Sequence, residues 1–492
     1  MKILLLTILA LYTITTLIVF LYTIMQCHLT VAYIRHKFFN KKIISPIITF
    51  VPTEIVTVQL PVYNEPFVVK RLIQATCALI YPKHLLHIQV LDDSTDNTVD
   101  IVNEQVKYYQ LQGYNIQAVR RSERVGYKAG ALKYGLQFAQ GEYIAVFDSD
   151  FIPNPNFLTA TIPLLLQPNI GMVQTCWGHT NRNYSLITKA QAFWLENHFK
   201  IEQTSRSNLN LFFNFNGTAG IWKKEAILSA GNWQADTLTE DLDLSYRAQA
   251  KGWQFLYVED LVSPAELPPT LQAFKSQQYR WTKGGAEVSR KMLGTVLNLK
   301  IPLTQKLHAA GHLLNSSVYL AIAISALLSV PLLAIKSQLP QMQAYMAIGI
   351  LFFSNFIILA VTYFVATWQY YKINGGVFAF LKTMQVYLSL SSAMSFHNSK
   401  AVLQGYFGYA TPFVRTPKYN TESQGIIAIK QYANKFGWQS FISNSCLFIL
   451  FLLAVVYGIA TINYGFILFH ATLAFGLGLL LFFQISDATG AK

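Results

Sequence analysis

The sequence predicts an α/β domain with a mostly parallel sheet, inserted into an α-helical membrane bundle. Two observations carry this. Long uncharged runs occur towards both ends of the 492-residue chain, and residues 50–295 between them alternate Val/Ile-rich runs with helical patterns. An apolar content of 52% and a mean hydropathy of +0.32, both high for a soluble protein, agree with the first.

Residues 3–25 carry no charge and are long enough to cross a hydrocarbon core of about 30 Å. A cleaved leader is the competing reading, but the run exceeds a signal h-region and no small-x-small site follows. Cys27 sits in MQC, a poor lipobox, which argues against a lipid anchor. Further spans are expected at 313–335, 346–369, 441–460 and 463–484. The stretch 378–396 contains Lys382 and several serines and reads as an interfacial or re-entrant helix.

Basic residues flank these runs: Arg35, Lys37, Lys41 and Lys42, then Arg290, Lys291 and Lys300, then Lys400, Arg415 and Lys418. The positive-inside rule puts all of them in the cytoplasm. Five spans follow, with the N-terminus outside and the C-terminus inside. The expected organisation is a first membrane helix over 1–30 and a cytosolic domain with interfacial helices over 31–300. A bundle of about four spans over 301–492 completes it. The protein is thus expected to be a multi-pass integral membrane protein with its polar domain in the cytosol. A bacterial inner or plasma membrane, or the Golgi of a eukaryote, would suit it. The chain ends soon after the last span, so no further C-terminal domain is expected.

A net charge of +14 suggests an anionic partner: nucleic acid, membrane surface or a phosphate-bearing substrate. The basic residues fall largely at membrane boundaries rather than on one domain face, which argues against nucleic acid. Cys27, Cys77, Cys176 and Cys446 lie far apart, without CxxC, and suit neither a zinc site nor a disulfide framework. The spans show no internal repeat of broken helices, so a transporter is unsupported.

Inside the insert, 55–60, 87–91, 143–147 and 171–176 read as strands, separated by helical stretches near 66–80, 97–111, 128–139 and 155–166. Ligands of such sheets bind beyond the carboxyl ends of the strands. There lie PVYNE (Pro61, Tyr63, Glu65), DDSTD (Asp92, Asp93, Asp96) and DSD (Asp148, Asp150). Capping of helix N-termini explains one such cluster. Three in a basic protein suggest a cation, since crowded carboxylates are costly alone. Mg²⁺ or Mn²⁺ fits best, taking one or two carboxylates with phosphates completing the shell. Residues one apart on an extended segment point to the same side, as Asp-x-Asp requires.

GYKAGAL opens a helix whose glycines and Lys128 suit a phosphate, without matching a P-loop or a dinucleotide fingerprint. In TEDLD, Asp241 at a helix start is placed as a cap or as a general base. FNFNGTAGIW joins glycine and aromatics, as a flat polyhydroxylated ligand or a buried turn would need. SQQYRWTKGG puts Arg280 and Trp281 just ahead of the second span, where a membrane anchor competes with a catalytic role.

QLPVYNE, VLDDSTD, GYKAGAL, FDSDF, FNGTAGIW, TEDLDLSYR and QQYRW, in this order, resemble the membrane-embedded family 2 glycosyltransferases of the cellulose synthase superfamily. The likeness is strongest to the cellulose synthase-like A and C type, the glucomannan and glucan synthases. It is dense over 50–295 and extends to FVRTPK (413–418), which looks like the gating loop of that superfamily.

The resemblance implies a GT-A fold, a nucleotide-diphospho-sugar transferase domain. Pro61, Tyr63, Glu65 and Asp93 would contact the nucleoside and Lys128 the diphosphate. Asp148 would sit near the sugar nucleotide and Asp150 on the metal, Mg²⁺ or Mn²⁺. Gly217, Thr218 and Glu240 would line the substrate site, and Asp241 would be the catalytic base. Gln277, Gln278, Arg280 and Trp281 form the Q(Q/R)xRW motif, with Arg280 near the pyrophosphate and Trp281 beneath the acceptor sugar. Arg415, Thr416 and Lys418 would close over the donor.

The implied activity is inverting, processive synthesis of a β-linked glucan or mannan from a UDP-glucose or GDP-mannose type donor. The growing glycan is the acceptor, the lipid bilayer the setting, and translocation coupled to synthesis. A non-processive enzyme making a ceramide or diacylglycerol glycolipid is the alternative. The cysteine-rich N-terminal zinc domain and the cyclic-dinucleotide module of some relatives are not expected, and the span count is lower than in bacterial cellulose synthases.

Overall fold

The computed structural model describes residues 2–39, 51–335, 346–411, 414–420 and 436–489. Seven strands form one sheet: β1 (Val56–Val62), β2 (Leu86–Asp92), β3 (Asn115–Val119), β4 (Tyr143–Val146), β5 (Ile170–His179), β6 (Gly220–Lys223) and β7 (Gln254–Ala265), in the order β3-β2-β1-β4-β6-β5-β7. The four strands expected from sequence are present. β3, β6 and β7 are additional, being short or half-exposed and so weakly patterned.

Every residue of β2 is buried, as helices on both faces of a parallel sheet require. One core layer joins Val58, Leu60, Ile88 and Val90 to Leu72, Ile73, Val102 and Phe157 of the helices above. The other joins Ile144, Val146 and Trp222 to Leu132, Ile227 and Leu244. β6 alone runs antiparallel to its neighbours β4 and β5. Its leading loop, 213–219, therefore meets the edge at which β1, β2 and β4 end. That reversal adds a fourth segment to the ligand edge.

Four helices among the described residues are long and apolar enough to cross a membrane: Ile3–Phe39, Leu303–Leu333, Trp438–Ala460 and Tyr464–Ala488. The run expected at 346–369 forms a 28-residue helix, Met346–Ile373, with no charged residue before Lys372. Residues 376–407 form one unbroken helix, so the re-entrant version of that expectation does not form. It packs against Leu271–Asn298, Ser317–Ile335 and Ile467–Thr489. Before it, Tyr370 donates to Asn183 at 3.0 Å and carries the Arg182 guanidinium 3.5 Å over its ring. Beyond it, Lys283 donates to the Tyr409 carbonyl at 2.7 Å. The residues flanking this helix thus meet the α/β domain on one side and the helix leading from it on the other.

Candidate active site

At the end of β1, Asn64 takes a left-handed φ of 53° and ties two loops together. Its N–H donates to Ser94 Oγ at 2.9 Å, and its Oδ1 accepts from Thr95 N–H at 2.8 Å. Beside it the Arg124 guanidinium lies 3.4 Å over the Tyr63 ring, and Asp93 pairs with Arg121. The rest of the DDSTD cluster is architectural. Asp92 is buried against Arg120 at 2.8 Å, and Asp96 accepts from Thr98 N–H at the start of a helix. One motif thus supplies an ion pair, a helix start and, in Asp93, a cavity edge.

Two cavities of about 110 Å³ each open on this edge. Pro61, Tyr63, Glu65, Asp93, Arg124 and Arg415 line the first, with Thr416. Asp150, Gly217, Glu240, Asp241, Gln277 and Trp281 line the second. Lys128, Asp148, Arg280 and Lys418 line both and form the wall between them.

Charges in that wall are closely paired. Lys128 Nζ lies 2.6 Å from Asp148 and 3.8 Å from Glu240, and donates to the Gly217 carbonyl at 2.8 Å. Lys418 Nζ lies 2.8 Å from Asp150, Arg415 lies 3.2 Å from Glu65, and Arg280 donates to Thr416 Oγ1 at 3.1 Å. Burial pulls the Lys128 and Lys418 ammonium groups down, but the carboxylates around them outweigh it and hold both above the ordinary lysine value. Burial lowers Arg280. It raises Glu65 despite Arg415 and Lys418 nearby. Asp241 is pushed up to about 7 by burial and by Glu240, with Lys128 opposing. A carboxyl so poised suits proton transfer near neutral pH.

Gly217, at φ +80°, explains a glycine in FNGTAG. A Cβ there would lie 2.9 Å from Asp241 Oδ2 and 3.3 Å from Lys128 Nζ, inside the site. Gly284 explains the KGG of SQQYRWTKGG, midway along the helix Leu271–Asn298. Its Cβ would fall 2.5 Å from the Thr239 side chain, so glycine lets this helix lie against the TED segment. Positions three and four apart share a helix face, and Gln277, Arg280 and Trp281 accordingly reach the second cavity together.

Two expected substrate residues lie outside both cavities. Thr218 is buried, its Oγ1 accepting the Asp148 N–H at 2.9 Å, so it positions that carboxylate. Gln278, one residue round the helix from Gln277, instead faces a separate hollow of about 30 Å³ among Trp194, Tyr319, Tyr387 and Asn398. Phe413 of the expected gating loop lies outside the described residues.

Sequence reasoning missed Arg124, Asn216, Thr239 and His179, all of which line the cavities. RSER just before GYKAGAL was the available signal for Arg124. His179 stays neutral, its pKa held down to about 3 by burial and by Arg182 and Lys200.

Asp148 and Asp150 line the same cavity, and among the described residues no cluster of three or more His, Cys, Asp or Glu surrounds them. Two carboxylates, leaving the remaining positions to phosphate and water, fit Mg²⁺ or Mn²⁺ and do not fit a closed zinc site.

Comparison with known proteins agrees with this geometry. Residues 57–227 match the model for glycosyl transferase family 2, and residues 143–371 match that for glycosyl transferase family group 2. The chain is 47% identical over 259 residues to a probable glucomannan 4-beta-mannosyltransferase 4 of Oryza sativa subsp. japonica, covering 51% of this chain and 47% of that protein. It is 45% identical over 260 residues to glucomannan 4-beta-mannosyltransferase 2 of Arabidopsis thaliana, covering 52% and 49%. The chain thus spans about half the length of the curated relatives it matches. A mannosyltransferase from Pyrobaculum calidifontis, solved in complex with GDP-Man and Mn²⁺, superposes with a TM-score of 0.54 at 19% identity, over 80% of this chain and 100% of that one. That likeness establishes the shared GT-A fold.

Proposed function

Because this chain carries a family 2 glycosyltransferase domain of the cellulose synthase superfamily, we propose that it builds a β-linked polysaccharide, a mannan or glucan, from a nucleotide sugar at a membrane. The observation that carries this reading is the shared wall. Lys128, Asp148, Arg280 and Lys418 border both cavities, while Asp241 faces only the second. A donor in the first cavity would present its sugar at that wall, within reach of an acceptor in the second.

The residues then divide the chemistry. Asp241 takes the proton of an acceptor hydroxyl as its oxygen attacks the anomeric carbon. The bond from that carbon to the diphosphate oxygen breaks, and the electron pair leaves with the diphosphate. Attack opposite the leaving group turns an α-linked donor into a β-linkage. Lys128 and Arg280 stabilise the charge that collects on the leaving group. Asp148 and Asp150 would hold Mg²⁺ or Mn²⁺, which supplies further positive charge to the diphosphate. Lys418, now on Asp150, and Arg415 would close over the phosphates from the later loop.

Trp281, 5.9 Å between centroids from Trp194, offers an apolar ring face to the C–H groups of the acceptor. The hollow holding Gln278 shares Trp194 with this contact and is completed by Tyr319 and by Tyr387, Ser391 and Asn398 of the helix 376–407. The residues flanking the helix 376–407 meet the α/β domain on one side and the helix Leu271–Asn298 on the other, which supports an interfacial position for it.

GDP-mannose is the favoured donor, since the curated relatives above are named mannosyltransferases. The test is incubation of the membrane-reconstituted protein with labelled GDP-mannose, UDP-glucose and other nucleotide sugars plus Mg²⁺ or Mn²⁺. Products are then digested with linkage-specific hydrolases. Label in β-mannanase-sensitive material is expected, and incorporation from no donor would overturn the reading.

A further inference from the structure

Outside the motifs already described, the segment NHFKIEQ (197–203) winds as a π-helical turn that sets half-buried His198 against buried Glu202. Turns of this kind are uncommon and cluster at functional sites. His198 Nδ1 lies 3.0 Å from Glu202 Oε2, and the other carboxylate oxygen accepts from Gln26 Nε2 at 2.7 Å. Gln26 belongs to the first helix, Lys2–Phe39. On the opposite side, His198 Nε2 lies 3.0 Å from Asn216 Oδ1 and 3.1 Å from Gln203 Nε2. The ring therefore has a partner on that side whether Nε2 donates or accepts.

Asn216 lines the second cavity with Asp241 and Trp281 and directly precedes Gly217. Its backbone N–H is fixed by Gln174 Oε1 at 3.0 Å. Its side-chain oxygen accepts from Asn214 Nδ2 at 3.0 Å and faces His198 Nε2, which donates to it when that nitrogen carries a proton. The amide nitrogen reaches the Asn214 carbonyl at 3.5 Å, too long for a good hydrogen bond. An amide held by its oxygen and bordering a cavity beside the base is a donor awaiting a hydroxyl.

We infer that Asn216 binds a hydroxyl of the acceptor sugar, and that Glu202 and His198 are positioning residues that hold its amide from the first membrane helix. This rests on the glycosyltransferase reading above, and it adds an acceptor contact and its support. One hydrogen bond lost from the acceptor and none from the donor gives a specific signature.

The experiment measures donor and acceptor KM separately, using the full chain in nanodiscs, the nucleotide sugar that the wild type uses, and a soluble β-linked oligosaccharide as acceptor. Asn216→Ala is expected to raise the acceptor KM roughly tenfold, about one hydrogen bond, with the donor KM within about twofold. His198→Ala should do the same. His198→Gln, whose amide reaches the Nε2 position, should recover most of the loss, while His198→Asn, which reaches only the Nδ1 position, should not. Donor and acceptor KM rising together, or neither moving, would overturn the inference. A wild type that transfers from no nucleotide sugar would instead remove the function it rests on.

Discussion

The two cavities have similar volumes, share Lys128, Asp148, Arg280 and Lys418, and differ in their remaining side chains. Beyond that wall the first adds the cations Arg124 and Arg415 and the Tyr63 ring, beside the carboxyls Glu65 and Asp93. The second collects the carboxyls Asp150, Glu240, Asp241 and Glu266 together with Trp177, Trp281 and Phe151. A diphosphate needs the first set, and a neutral sugar with one hydroxyl to deprotonate needs the second. The difference shows how one strand edge can serve two ligands: a charged wall is shared, and carboxyls outnumber cations only in the second cavity.

The largest effect should come from the base. Asp241→Asn is expected to cut transfer by roughly 10²–10⁴-fold while leaving nucleoside diphosphate binding unchanged. Equal losses of binding and transfer, by calorimetry and radiolabel incorporation, would break the division between the cavities. Arg280→Ala removes a cation from the shared wall and should lower kcat by about 10²–10³-fold. Its effect on the acceptor KM should be small.

Trp281→Ala acts only in the second cavity. Polymer formation is expected to fall roughly tenfold, comparable to losing one or two aromatic contacts, with nucleotide affinity retained. Arg124→Ala acts only in the first, and should weaken nucleotide binding about threefold to thirtyfold through loss of its contact with Tyr63. The smallest expected change is in pH dependence. Asp241 must be ionised to accept a proton, so kcat/KM should rise with pH through about 7. Glu240 helps to raise Asp241, and Glu240→Gln should therefore move that limb to lower pH.

Much of the first cavity was legible in the sequence, because its residues follow Val/Ile-rich strands whose ends a parallel sheet must align. Tyr63, Asp93 and Asp148 could be read in that way. The second cavity was harder to read. It depends on β6 running antiparallel, and the four residues GIWK carry no pattern that fixes a direction. Asn216 was therefore invisible as a site residue although FNGTAG was singled out. Gln278 was misplaced for another reason: a motif gives spacing, whereas a helix turns about 100° per residue and sends neighbours to different faces. The membrane bundle lies at the far extreme. Uniform apolarity marks a helix of spanning length without stating its partners, so contacts such as Gln26 with Glu202 emerge only in three dimensions.

Product size tests most directly whether the second cavity feeds a growing chain. The reconstituted protein is given one labelled nucleotide sugar, and products are separated by length over time. A ladder that lengthens with time, collapsing towards short products in Trp281→Ala, is the expected result. A single labelled glycolipid that never lengthens would contradict it.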